Sequence, residues 1–238
     1  MSLRFLLLLL AALTLSACSS PEGEGNDLSA ADQAKAQKLL ADYQSARAAQ
    51  NWELAETKAD ELRGKFADSA AASGLDASLT DTRKQAATAR DGHRLRDLWE
   101  YQAVTVEAGG VQRSATIYSR TVPVEEGEVA PVADARLVLR DHPSWGRSVY
   151  LLLAQSKFSC GKPCTMRIGF DDAEAASWTG KQADSGKGPA LFVVDEKRFV
   201  EQMQKAKQVR ITLPKGSGAT PSLLFEVGGF DAGRYAKP

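Results

Sequence analysis

The chain has 238 residues, with 30 basic and 30 acidic side chains and an apolar fraction of 43%. This balance gives no long-range attraction to nucleic acid, and the basic residues are scattered, so we expect no nucleic-acid partner. The length allows one large domain or two small ones.

The first 17 residues are typical of a secretory signal that is removed from the mature protein. Arg4 precedes an almost unbroken apolar segment, residues 5–13, which is too short to span a bilayer. The segment is followed by the sequence Leu-Ser-Ala-Cys, which ends at Cys18. This motif resembles the lipobox of bacterial lipoproteins. The alternative is an ordinary signal peptide in which Cys18 is incidental.

The lipobox resemblance implies that the chain is cut before Cys18 and that this cysteine is acylated, for instance with palmitate. Because Ser19 rather than aspartate follows, the resemblance also implies an outer-membrane lipoprotein with its body in the periplasm. Two or three acyl chains form a stable anchor. We therefore expect attachment to the membrane through Cys18, followed by a flexible tether over residues 18–28.

Residues 29–97 are predicted to form a helical spacer domain. Ser29 is a candidate N-cap, and strong helix formers fill residues 30–50 with apolar side chains at three- and four-residue spacing. A second stripe covers residues 52–66, and a third helix is predicted from about residue 75 to residue 97. The pattern predicts a helical hairpin or three-helix bundle. This domain either docks a partner or only lifts the next domain away from the membrane.

Residues 98–232 change to strand-like alternation, and residues 233–238 are predicted to be a tail. About seven or eight short strands separated by turn residues are typical of a β-sandwich, with a barrel as the alternative. Asp195 is a candidate cap for one short helix. The fold class is therefore α+β. The predicted strands cover residues 99–105, 111–118, 135–140, 149–154, 164–170, 190–194, 208–213 and 223–227.

Cys160 and Cys164 are the two thiols that remain when Cys18 is acylated, and an oxidising compartment favours a disulfide between them. A redox pair and a metal site are the alternatives. The spacing is wider than Cys-x-x-Cys, and His93 and His142 are the two histidines of the chain. We therefore expect a structural disulfide, no metal and no cofactor.

The C-terminal part also carries the Cys160 and Cys164 spacing, a helix around Phe199, a strand at 209–213 and the ending Phe-Glu-Val-Gly-Gly-Phe-Asp at 225–231. These features resemble the invasion-associated locus B family of proteobacteria. The resemblance implies a small secreted or periplasmic β-sandwich with no established enzymatic chemistry.

No hydrolase elbow, phosphate loop or EF-hand motif is present, so we predict no catalytic residues. Trp145 and Trp178 fall in predicted loops, beside Arg147 and Lys181 respectively. Exposed loop aromatics next to cations are typical partner-binding anchors, although either ring could instead fold back over the end of the sheet.

These features together predict a non-catalytic, protein-binding lipoprotein whose partner belongs to an envelope assembly or secretion complex. Two alternatives remain open from the sequence. The first is an immunity or inhibitor lipoprotein directed against a periplasmic toxin enzyme. The second is a redox factor that uses Cys160 and Cys164.

Overall fold

A computed structural model describes residues 28–107, 109–120, 135–153, 160, 163–182, 190–213 and 222–235. The predicted signal, Cys18 and the tether up to residue 27 lie outside the described residues. The chain divides into two compact units, Met1–Arg83 and Lys84–Pro238. This boundary falls inside a helix, whereas the sequence pattern changes only after Asp97.

The first unit is helical. It contains α1 (Ala30–Ala48), α2 (Trp52–Lys65), the short α3 (Ala70–Ser73) and the beginning of α4 (Asp76–Asp97). The Ser29 side chain accepts a hydrogen bond from the Asp32 amide, as predicted for a cap, and Asn51 caps α2 in the same way. The helical hairpin formed by α1 and α2 is therefore confirmed.

Small residues dominate the core of the first unit. Ala36, Ala55 and Ala59 are fully buried there together with Leu62. Tyr43 supplies the largest buried side chain, and its hydroxyl makes hydrogen bonds of 2.7 Å to Ser78 and 2.9 Å to Thr82. Alanines bury little apolar area each, so the apolar contribution of this core is small. The hydrogen bonds of Tyr43 to Ser78 and Thr82 are directional and help to fix the position of α1 against α4.

The second unit is built on a sheet. Its described residues form nine antiparallel strands in the order β1-β2-β3-β4-β7-β6-β5-β8-β9. The strands are β1 (Glu100–Thr105), β2 (Val111–Tyr118), β3 (Ala135–His142), β4 (Gly146–Leu153), β5 (Cys164–Phe170), β6 (Ala176–Gln182), β7 (Ala190–Val193), β8 (Val209–Thr212) and β9 (Ser222–Phe225). Each of the eight predicted strands overlaps one of them. The helices of this unit are the end of α4, α5 (Glu196–Met203) and α6 (Ala232–Tyr235).

The predicted β-sandwich is wrong, because a single sheet curls into a half-barrel. Arg120, just after β2, forms an isolated antiparallel bridge with Leu224 on β9. The far end of the sheet thus returns toward its beginning. A sandwich and a curled sheet bury every second residue in the same way, so alternation alone does not distinguish them.

One side of the curled sheet faces the core, and α5 and α6 pack on it. Alternate residues of β3, β4 and β7 are buried on this inner side, among them Leu137, Leu151 and Leu191. Phe199 and Met203 of α5 complete the same cluster, and Asp195 caps that helix as predicted. Tyr235, inside the segment predicted to be a tail, is also buried in it.

The last turns of α4 are held by the residues that follow β9. Arg94 donates to both carboxylate oxygens of the largely buried Glu226, at 2.9 and 3.1 Å. Arg120 donates to the same carboxylate at 3.2 Å. Gly229 lies directly against the backbone of Leu95. The end of α4 is therefore an integral part of the second unit.

Candidate partner-binding face

The predicted disulfide is confirmed. Cys160 and Cys164 are bonded, with their Cα atoms 5.2 Å apart. Both side chains pack against the core of the second unit, and the Cys164 sulfur lies beside Gly180 of β6. The pair thus ties the entry of β5 to the chain just before it.

The predicted loop position of Trp178 is wrong. Trp178 lies in the middle of β6, is 4% exposed and packs between Phe170 and Phe199. The Arg198 guanidinium lies 4.3 Å from the centre of its ring. The side chain is therefore part of the core rather than an anchor for a partner. Lys181, its predicted neighbour, lies on the same strand with its side chain on the opposite side.

Trp145 lies in the β3–β4 turn, as predicted, and is 70% exposed. Its ring stacks on the buried His142 ring with centroids 3.8 Å apart and an interplanar angle of 12°. The cation beside it is Arg140, whose guanidinium lies 5.3 Å from the ring centre. Arg147, the predicted partner, is on β4 opposite Asp141, and strand alternation places both on the inner side.

Trp145 adjoins a continuous surface on the outer side of the sheet, which we call the arginine–aromatic face. Thr116, Val138, Tyr150, Phe192 and Lys181 stand in register as one row across β2, β3, β4, β7 and β6. The arginine–aromatic face consists of Tyr118, Arg136, Val138, Arg140, His142, Trp145, Tyr150 and Phe192.

Arginines and rings are interleaved on this face. Arg136 lies 5.7 Å from the centre of the Tyr118 ring, and Arg140 lies 5.4 Å from that of Tyr150. Phe192 contacts Tyr150, with ring centroids 5.2 Å apart. Val138 is only 5% exposed although it points outward, because the side chains around it cover it. Each guanidinium lies over a ring, and Arg140 contacts the rings of both Trp145 and Tyr150.

The face is positively charged. The described outer positions of β2, β3, β4, β7 and β6 carry Arg136, Arg140 and Lys181 and no carboxylate. Beyond β2, the edge strand β1 carries an outer carboxylate, that of Glu100, which stands opposite Thr116. Burial raises the pKa of Tyr150, while the positive charges of Arg140 and Arg136 oppose this rise. The phenol therefore stays neutral and adds no negative charge.

Two polar atoms on this face are buried without a hydrogen-bond partner in the described part of the chain. They are Nε of Arg140 and Oγ of Ser148, two residues that stand opposite each other in register. The rings of Trp145 and Tyr150 both lie against the Arg140 guanidinium. Shielding from water strengthens any contact that the Arg140 guanidinium makes with an anion, because screening is weaker there.

Within the described ranges, no cluster of three or more His, Cys, Asp or Glu side chains could hold a metal ion. No helix in these ranges has the length and apolar character needed to cross a membrane.

Comparison of the sequence with protein-family models and with curated proteins finds no match. Among solved structures, invasion associated protein B from Bartonella henselae is similar, with a TM-score of 0.36 and 14% sequence identity. The similarity covers 56% of this chain and 86% of that chain. The resemblance to the invasion-associated locus B family is therefore only distant.

Of this face, the sequence alone predicts only Trp145 as a binding residue. Arg136 and Arg140 fall in the predicted strand 135–140 and Tyr150 in the predicted strand 149–154, without an assigned role. The signal was nevertheless present. Arg136, Val138 and Arg140 alternate with the buried Leu137 and Leu139, which marks an outward row of two cations.

Proposed function

We propose that this chain is a lipid-anchored binding protein of the bacterial outer membrane. It holds an envelope protein on its arginine–aromatic face and performs no catalysis. The anchor rests on the sequence motif that ends at Cys18. Acylation there would keep the protein at the membrane surface, where two or three chains suffice for stable attachment.

The observation that carries the binding role is the exposed Trp145 beside Arg140. Trp145 is 70% exposed and is continuous with the other rings of the face, and contiguous exposed patches of this kind mark interaction sites. Tryptophan, tyrosine and arginine are also the residue types that dominate the energy of protein interfaces. The face supplies all three together, with the tyrosines and arginines on strands and Trp145 in the β3–β4 turn.

The described residues bear on the redox alternative. The Cys160 and Cys164 sulfurs are joined and packed against the core, which favours a structural role over redox exchange.

Crosslinking in intact cells, followed by affinity capture of the tagged full-length protein, tests the proposed function. We expect one envelope protein to be recovered with the wild type and about tenfold less of it with the Arg136→Gln/Arg140→Gln double variant. Both substitutions are on the outer side and leave the buried core unchanged. Equal recovery with this variant would show that the arginine–aromatic face does not bind the partner.

Two further variants control this experiment. Lys35→Gln/Lys38→Gln removes the same amount of charge from exposed positions on α1 and should capture as the wild type does. Cys18→Ser should incorporate no labelled palmitate and should leave the outer-membrane fraction. Palmitate labelling that persists in Cys18→Ser would contradict the proposed anchor.

A further inference from the structure

The arginine–aromatic face has a second property, which is the spacing of its arginines. Arg136 and Arg140 are both outward residues of β3, separated by two repeats of the strand. At 3.3–3.4 Å per residue, their backbone positions lie about 13 Å apart. Val138 lies midway between them, and the sheet pairing on both sides of β3 fixes this distance.

The charges define what such a pair of arginines can bind. No carboxylate is present at the described outer positions of the five strands that form the surface, so the two guanidinium charges are not compensated there. Neither Arg136 nor Arg140 takes part in any ion pair found among the described residues. A guanidinium presents a planar fork of donors that matches a carboxylate in a bidentate geometry.

From this geometry, and on the basis of the proposed function, we infer that the face binds an extended acidic segment of its partner protein. One carboxylate of that segment pairs with Arg136 and a second pairs with Arg140. In an extended chain, residues i and i+4 point to the same side and lie about 13 Å apart, which matches the arginines. Residue i+2 then lies above Val138, over the side chains that cover it, and the neighbouring tyrosine rings suit an apolar side chain there.

The same surface could in principle meet anionic lipid, but the observations favour a peptide. Lipid headgroups move freely and need only a general density of positive charge, whereas this site places two guanidinium groups over rings, on backbone positions whose spacing the sheet fixes. A peptide with regularly spaced carboxylates can pair with both arginines at once, whereas the headgroups of a membrane surface have no fixed spacing to match theirs.

A peptide-binding measurement tests the inference. The protein used is the mature chain, residues 18–238, with Cys18→Ser so that no acyl group interferes. The probe is a labelled peptide of about nine residues with carboxylates at i and i+4 and leucine at i+2. We expect it to bind about tenfold more tightly than the same peptide with both carboxylates replaced by amides. Moving the carboxylates to i and i+2 should weaken binding to a similar degree.

Variants then assign the contacts. Arg136→Gln and Arg140→Gln should each weaken binding of the i, i+4 peptide about threefold and together about tenfold, and Lys35→Gln/Lys38→Gln should not change it. Arg140→Lys should also weaken it, because an ammonium lacks the planar fork. Binding that ignores the spacing, or that survives both glutamine substitutions, would overturn the inference.

Anionic phosphatidylglycerol vesicles are the third probe. Vesicle binding that depends on Arg136 and Arg140, without binding of the peptide, would replace the peptide by a lipid surface and overturn the inference. Capture of an envelope protein that depends on these arginines, without binding of the peptide, would overturn the inference and leave the proposed function standing. Peptide binding without any captured protein in cells would instead contradict the proposed function.

Discussion

Replacing Trp178 with alanine is expected to lower the free energy of unfolding of the second unit by about 3–5 kcal/mol. The indole is almost completely buried against Phe170 and Phe199, and its removal leaves a cavity on the inner side of β6. The strand offers no other large inward side chain, since its next inward residue is Gly180. Chemical denaturation followed by circular dichroism measures the loss.

Trp145→Ala is the matched control, because both tryptophans had the same predicted role. We expect it to change the free energy of unfolding by no more than about 1 kcal/mol, since its ring is mostly in solvent. Trp178→Phe keeps a ring in the core and should cost less than Trp178→Ala. If Trp145→Ala were as destabilising as Trp178→Ala, the assignment of one ring to the core and the other to the surface would be wrong.

Gly229→Ala is expected to lower the free energy of unfolding by about 3 kcal/mol, at the upper end of the usual cost of overpacking. A Cβ atom on Gly229 would overlap the backbone of Leu95 and Arg96, which cannot move aside as a flexible side chain could. The end of α4 would have to separate from the turn after β9. Thermal unfolding and denaturant titration both report this change.

Gly92→Ala controls for the general effect of adding a methyl group to this part of the chain. Gly92 is inside α4, and a Cβ there would meet Arg96 at 3.6 Å, an ordinary contact. Since glycine weakens a helix interior, this variant should gain about 0.5–1 kcal/mol. A Gly229→Ala protein as stable as the wild type would show that α4 does not approach the β9 turn so closely.

Much of the secondary structure could be predicted because local patterns determine it. Alternating apolar residues predict β3 and β5, and Asp195 predicts the start of α5. Gly109 and Gly110 lie between β1 and β2, and both have positive φ, as a tight turn there requires. Strand β6 was missed because Trp178 is its single large inward side chain among small and polar residues.

The sheet arrangement and the site could not be predicted in the same way. Which strands pair is set by contacts far apart in the sequence, such as the pairing of β4 with β7, and alternation does not encode them. The candidate face also depends on strand pairing between residues far apart in the sequence. Tyr118, Arg140 and Phe192 come from three strands, and only the register of the sheet brings them together.

Site-specific photo-crosslinking in intact cells tests the central claim, that the partner sits on the arginine–aromatic face, most directly. A photoreactive amino acid replaces Trp145, Phe192 or, as a control, the exposed Leu54 on α2. We predict that positions 145 and 192 crosslink to the same envelope protein, that position 54 does not, and that Arg136→Gln/Arg140→Gln abolishes both products. Crosslinks to a partner from position 54 but not from 145 or 192 would contradict the account.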